Sequence, residues 1–258
     1  MKKAIIFDLD DTLLWDAKSV KEAFKATCEV VRERYGVDPE LLEEKVRERA
    51  RQLYAGYDTY AFTQEIGINP FEGLWGNFND EGKDFKRLRE IVPQYKKDAW
   101  TLGLKDIGVN DVAFGKELAN TFPEMRKRHP YVYEETFEVL DELKNNYPLV
   151  LLTNGSPELQ YTKLDITPEL QPYFEHIVIS GSFGKGKPDV SIFKHVLELL
   201  SLKKEQVLMV GDNLHTDILG ASKAGIDSVW VNRNGKEKNN EIVPTYEISS
   251  LREIHKLL

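Results

Sequence analysis

The sequence predicts an α/β protein: a doubly wound parallel sheet interrupted after its first strand by an inserted α-helical cap domain. Three observations carry this. Five short aliphatic runs read as strands, four of them after residue 145; they are near-continuously apolar; and about 140 residues of mostly helical pattern separate the first from the second. A strand that is apolar on both sides needs cover on both faces, the usual condition of a parallel sheet. A gap of that length exceeds any single crossover helix, so a separate unit is expected within it.

The runs are Lys3 to Phe7, Leu149 to Thr153, Ile177 to Ser180, Gln206 to Val210 and Ser228 to Val231, each short and rich in β-branched or aliphatic residues. Between the later ones, Ile192-Phe193-Val196-Leu197-Leu200 and Ile218-Leu219-Ser222 place apolar residues near a 3.6 period, which suits helices laid on the sheet. From Asp16 to Pro130 the same period recurs in Val20-Phe24-Thr27-Val31, Leu41-Leu42-Val46-Ala50-Leu53, Leu88-Ile91-Val92-Tyr95 and Val112-Leu118-Phe122. The expected division is a core of residues 1–15 and 131–258 and a cap of residues 16–130, joined near Leu14 to Asp16 and His129 to Tyr131. Within the cap, Gly67 to Phe78 mixes glycines and aromatics without helical period. Such a loop either closes over a pocket or packs the cap's own core through Phe71, Trp75 and Phe78; packing is the simpler expectation.

Bulk properties exclude several classes. A net charge of -8 argues against a general nucleic-acid binder, which carries a basic stripe. The densest basic run, Arg126-Lys127-Arg128-His129, reads as a solvated helix end. No stretch approaches the roughly 20 apolar residues that span a bilayer, and Met1-Lys2-Lys3 leads straight into a short strand rather than an apolar leader. Cys28 is the only cysteine and is expected to be buried in the first cap helix, so no internal disulfide forms. These features predict a cytoplasmic protein with no membrane partner.

Four segments carry candidate chemistry. In Asp8-Leu9-Asp10-Asp11-Thr12, the first strand ends in two acids one residue apart, and alternate residues of an extended chain project to the same side. Asp8 is the candidate nucleophile, because a carboxylate can attack phosphorus to give an acyl phosphate. Asp10 is the candidate acid and base, a role that needs a pKa above its neighbour's; two close carboxylates resist ionising together and supply that split. In Leu151-Leu152-Thr153-Asn154-Gly155, the Thr153 hydroxyl and the main-chain N–H groups of Asn154 and Gly155 are candidate phosphate donors, although Ser156-Pro157-Glu158 also reads as an ordinary helix start. In Gly184-Lys185-Gly186-Lys187-Pro188, Lys187 is preferred over Lys185 as the cation that holds nucleophile and phosphoryl group together, because it stands against the proline that opens a helix. In Gly211-Asp212-Asn213-Leu214-His215-Thr216-Asp217, Asp212 is placed to share a Mg²⁺ with Asp8, Asp217 to support Lys187 or cap the next helix, and His215 to sit at the surface or behind the ligands rather than on the metal.

Asp8-x-Asp10-x-Thr12, Thr153-Asn154, Lys187-Pro188 and Gly211-Asp212-x4-Asp217, in that order, resemble the haloacid dehalogenase superfamily, and the insertion point resembles its members with a helical cap after the first motif. The resemblance implies a Rossmann-like sheet with the first strand at its centre and the site at the carboxyl ends of the strands. It implies that Asp8 becomes phosphorylated, that Asp10 is acid/base and gives its main-chain carbonyl to Mg²⁺, and that Asp212 completes the metal site. Members that cleave carbon–halogen bonds lack the second aspartate, so Asp10 favours hydrolysis of a phosphate monoester. No cap lysine stands out for a Schiff base of the kind phosphonate cleavage requires. The implied partner is a small phosphorylated metabolite, with phosphoserine the first candidate and nucleotides or sugar phosphates as alternatives. A phosphomutase would keep the same motifs, and a non-catalytic phosphate-binding protein would be expected to have lost Asp8, Asp10 or Lys187. Substrate choice falls to the cap and its joints, where chain continuity puts Trp15 near Asp8.

Overall fold

The computed structural model describes residues 1–237 and 241–258. Among them, six strands form one all-parallel sheet: β1 (Ala4–Phe7), β2 (Leu149–Thr153), β3 (His176–Ile179), β4 (Val207–Gly211), β5 (Asp227–Val231) and β6 (Tyr246–Ile248), in the order β3-β2-β1-β4-β5-β6. The five expected strands are present to within a residue. The sixth was not anticipated: Tyr246-Glu247-Ile248 is a short edge strand in which Ile248 alone turns an apolar side chain into the core.

Alternation along the strands explains the two-sided cover. Ile5, Phe7, Leu149, Leu151, Leu208, Val210 and Val229 pack on one face, against Val139, Leu140, Leu143 and the 3₁₀ turn at Leu251–Lys256. Ala4, Ile6, Val150, Leu152, Val207 and Met209 face the other side, against Ile192, Phe193, Val196 and Ala221. All four residues of β1 are fully buried, as the centre of such a sheet requires.

Between β1 and β2 the chain forms α1 (Asp16–Tyr35), α2 (Pro39–Ala55), α3 (Tyr60–Ile66), α4 (Pro70–Gly73), α5 (Lys83–Asp106) and α6 (Val112–Arg128). These helices enclose an aromatic-rich core that includes Phe24, Cys28, Trp100, Phe114 and Phe122. The chain leaves and re-enters the sheet side by side: Trp15 N–H donates to Tyr131 O at 2.9 Å, and Tyr133 N–H to Leu13 O at 3.2 Å. After that joint come α7 (Thr136–Leu143), α8 (Pro157–Asp165), α9 (Ser180–Phe183), α10 (Val190–Leu200) and α11 (Leu219–Ala224). Among the described residues no helix is long and apolar enough to cross a membrane.

One expectation fails at the end of α6. Lys127 and Arg128 are solvated, but Arg126 is buried. Its guanidinium pairs with Asp16 at 2.6 Å, donates to the Ser19 hydroxyl and lies over the Trp75 ring. The helical period turns Arg126 toward α1 while its neighbours face water. Gly67 to Phe78 folds partly as α4, whose capping box joins Asn69 and Glu72, with Ile68, Leu74, Trp75 and Phe78 packed in the helical core.

Candidate active site

Asp8 is the first residue beyond β1, and its N–H still donates to Val210 O at 3.0 Å. The ladder therefore fixes its backbone between β2 and β4, where Phe7 is level with Leu151 and Val210. Asp11 adopts a left-handed φ of 60°, a conformation aspartate tolerates better than most residues. Beyond that reversal the Thr12 hydroxyl donates to Asp8 Oδ2 at 3.3 Å and accepts the Asp212 N–H at 3.0 Å, tying the first motif to the last.

Lys187 reaches Asp8, and Lys185 does not; Lys185 stays exposed, 3.6 Å from Asp189. The Lys187 amine donates to Asp8 Oδ1 at 2.6 Å, to Asp217 Oδ1 at 2.8 Å and to Leu152 O at 2.7 Å, which uses all three of its donors. Burial disfavours its charge, but Asp217 and Asp8 outweigh this and hold its pKa above the usual lysine value. Asn154 secures the lysine backbone in both directions: its Oδ1 accepts Lys187 N–H at 2.8 Å and its Nδ2 donates to Lys187 O at 2.9 Å. The Asn154 side chain is thus committed to placing Lys187.

Other expected donors divide. Gly155 N–H is taken by Ile66 O at 3.0 Å and Ser180 Oγ at 2.8 Å, so it does not face a free phosphate site. Thr153 Oγ1 accepts from Gln160 Nε2 at 2.6 Å and donates its own proton to Asn154 O in a long hydrogen bond of 3.5 Å.

Asp8, Asp212 and Asp217 bring carboxylate oxygens within 4.8 Å of one another. Burial and the charges of Asp8 and Asp217 push the Asp212 carboxyl up to about 8, and burial, with Lys187 opposing, pushes Asp8 up to about 6. Such a set of hard oxygen donors, carrying more negative charge than Lys187 neutralises, fits Mg²⁺. Asp217 is the least available of the three, since its Oδ1 meets Lys187 and its Oδ2 accepts Asn213 N–H at 3.1 Å. It packs so closely under Gly211 that a Cβ there would lie 2.2 Å from its Oδ2. His215 is exposed and is not one of this cluster's members.

The Asp10 carboxylate goes elsewhere, to Lys163 at 2.7 Å and Gln160 at 3.2 Å, both on Oδ2. Lys163 also pairs with Glu72 at 2.9 Å. Burial raises the Asp10 pKa, with Lys163 acting against it. Glu72, Gln160 and Lys163 were missed by sequence reasoning. The available signal was Gln160 and Lys163 three residues apart on one face of the helix that follows Thr153. Glu72 lies 91 residues from its partner and gave none.

Trp15 is exposed and stacks on Tyr133 with ring centroids 5.2 Å apart, and the Arg233 guanidinium lies 3.8 Å from the Tyr133 centroid. With Asp11, Asp212 and Lys236 these residues line a cavity of about 160 Å³. Gly67 abuts the site from the insert, at φ 79°, where a Cβ would stand 2.8 Å from the Asn154 side chain.

The haloacid dehalogenase-like hydrolase family matches residues 2–225. The chain is 31% identical over 252 residues to the phosphoserine phosphatase of Thermus thermophilus, covering 98% of this chain and 97% of that one. It is 26% identical over 263 residues to the N-acylneuraminate-9-phosphatase of Mus musculus, covering 99% and 93%. Among solved structures, the magnesium-bound HAD-hydrolase YfnB of Bacillus subtilis has a TM-score of 0.68 at 24% identity, covering 100% and 98%. A 2-haloacid dehalogenase from Pseudomonas syringae pv. Tomato DC3000 has a TM-score of 0.60 at 23%, covering 100% and 98%; both likenesses are of fold. With its family match spanning most of the sequence and its full-length relatives, the chain belongs to the haloacid dehalogenase-like hydrolase family and is an enzyme of its phosphatase branch.

Proposed function

We propose that this enzyme is a Mg²⁺-dependent phosphomonoesterase working through an aspartyl phosphate at Asp8, with phosphoserine as the first substrate to test. The observation that carries this reading is the Lys187 amine shared between Asp8 at 2.6 Å and Asp217 at 2.8 Å, with Asp212 in the same cluster. A lysine so held screens the nucleophile from its neighbours and is in place for the charge of the transferring group. Asp8 attacks phosphorus, the departing alkoxide takes a proton from Asp10, and Asp10 then deprotonates the water that cleaves the acyl phosphate. Thr153 turns its hydroxyl proton from the long bond to Asn154 O toward a phosphate oxygen, and Asn154 acts by placing Lys187. Asp8, Asp212 and the Asp10 main-chain carbonyl would hold Mg²⁺, which would supply positive charge against the phosphoryl group.

Residues 16–130 serve as the cap and residues 1–15 and 131–258 as the catalytic core, with the substrate bound between them. The preference for phosphoserine rests on the full-length likeness to the Thermus thermophilus enzyme. Trp15 and Tyr133, at the joint and on the cavity that contains Asp212, meet the non-phosphate part of the substrate. The cytoplasm is the compartment consistent with one buried thiol, Cys28, and no disulfide.

The test is a phosphate-release screen over phosphoserine, nucleoside monophosphates and sugar phosphates, with Mg²⁺ and then with chelator. Release that depends on the metal and is lost in Asp8→Asn is expected, by at least about 10³-fold. Equal rates for wild type and Asp8→Asn would defeat the mechanism; activity that survives chelation would defeat the metal assignment. A sugar phosphate converted to its isomer with little free phosphate would make the enzyme a mutase.

A further inference from the structure

Lys163 is as buried as Lys187, with a side chain 2% exposed, yet it belongs to neither the nucleophile nor the metal cluster. Its amine bridges two carboxylates from opposite sides of the joint: Asp10 of the core at 2.7 Å and Glu72 of the insert at 2.9 Å. Gln160, one turn earlier on α8, donates to the same Asp10 oxygen, Oδ2, and also to Thr153. Two donors on one oxygen fix the plane of the carboxyl group. The other oxygen, Oδ1, is buried with no hydrogen-bond partner, which is costly unless some reaction step uses it.

Glu72 is itself firmly placed. Its Oε2 accepts Asn69 N–H at 3.0 Å in the α4 capping box, so its position reports how the 67–78 segment is seated. That segment meets the core again where Gly67 presses on Asn154, and Ile66 just before it accepts the Gly155 N–H.

We infer that Lys163, with Gln160, is a positioning residue that pins Asp10 through Oδ2 and presents Oδ1 for proton transfer, and that Glu72 makes this arrangement depend on the seating of the insert. This rests on the phosphomonoesterase reading and on Asp10 as its acid. The bridge links substrate enclosure to leaving-group protonation: an insert that is displaced takes Glu72 with it and leaves Lys163 free to shift from Asp10. An acid aligned only when the insert is seated protonates the leaving group only when water is excluded.

The test uses two esters of different leaving group. An alkyl phosphate, the best from the screen, needs a proton on its departing oxygen; p-nitrophenyl phosphate releases a stabilised phenolate and does not. For each ester kcat/KM is measured, since it covers the steps through enzyme phosphorylation. Lys163→Met should lower kcat/KM for the alkyl ester by about 100-fold and for the aryl ester by less than about 5-fold. Glu72→Gln and Gln160→Leu should shift the alkyl-to-aryl ratio the same way by roughly 5- to 10-fold, and they keep the test decisive if Lys163→Met fails to fold. Equal losses on both esters in the folded variants would reduce Lys163 and Gln160 to structural supports and overturn the inference. An unchanged ratio in Glu72→Gln alone would overturn the link to the insert. A wild type inactive on both esters would instead remove the phosphatase reading beneath it.

Discussion

The two lysines buried among the described residues do the same electrostatic work in different settings. The Lys187 side chain finds all its partners in the core: its carboxylate partners, Asp8 and Asp217, follow β1 and β4, and its backbone is clasped by Asn154 at the end of β2, while the insert reaches this cluster through Gly186 N–H to Glu65 O at 2.9 Å and Gly67 against Asn154. Lys163 straddles the joint, with one partner on the core and one on the helical insert. A buried ion pair gains its energy only from close partners, and losing one leaves an uncompensated charge. The Lys187 amine therefore has both carboxylate partners without the insert, whereas the Lys163 amine has both only while Glu72 of the insert lies against the core. In the proposed mechanism this makes nucleophile and metal site part of the core and leaves the acid to be assembled.

The contrast can be broken most directly at Lys187. Lys187→Met should cut kcat/KM for alkyl and aryl esters alike, by about 10²-fold or more, because the lysine serves the nucleophile and phosphoryl group rather than the leaving group. A selective loss on alkyl esters would erase the difference between the two lysines.

A smaller effect sharpens the electrostatics of the core cluster. Asp212 has its carboxyl raised to about 8 by burial and by Asp8, Asp217 and Asp11, against an ordinary value of 3.8. The folded state thus binds this proton more tightly than the unfolded state; the stability it contributes is full below about pH 4 and is lost as the pH rises toward about 8. Asp212→Asn should therefore flatten the pH dependence of Tm in metal-free protein and raise Tm at pH 8 by on the order of a few degrees. A lower Tm for the variant at pH 8 would mean that the cluster is not over-charged.

The smallest effect lies at the cavity rim. Trp15→Ala removes a ring stacked on Tyr133 and should change the ranking of substrates by about 3- to 10-fold while leaving the Mg²⁺ dependence alone. An unchanged ranking would remove Trp15 from the pocket.

The sequence was most legible where chemistry coincides with local pattern. An apolar run ending in Asp8 and Asp10, or in Gly211 and Asp212, announces both a parallel strand and what its carboxyl end carries, because β1 and β4 are buried on both faces. Edge strand β6 escaped because a three-residue segment with two exposed side chains lacks that signature. Arg126 was misread because a charge run says nothing about which residue the helix turns inward, toward Asp16. The Glu72–Lys163–Asp10 bridge was invisible for a third reason: its partners are distant in sequence and meet only through tertiary packing. Glycines were informative only afterwards, as with Gly211, whose place is dictated by the Asp217 carboxylate beneath it.

The central claim, that Asp8 is esterified to phosphorus during turnover, is tested most directly by acid-quenching the enzyme with saturating substrate and Mg²⁺, reducing it with borohydride and sequencing the peptides by mass spectrometry. The account expects homoserine in place of aspartate at position 8, and none in enzyme quenched without substrate. Reduction at another carboxylate, with position 8 unmodified, would contradict it.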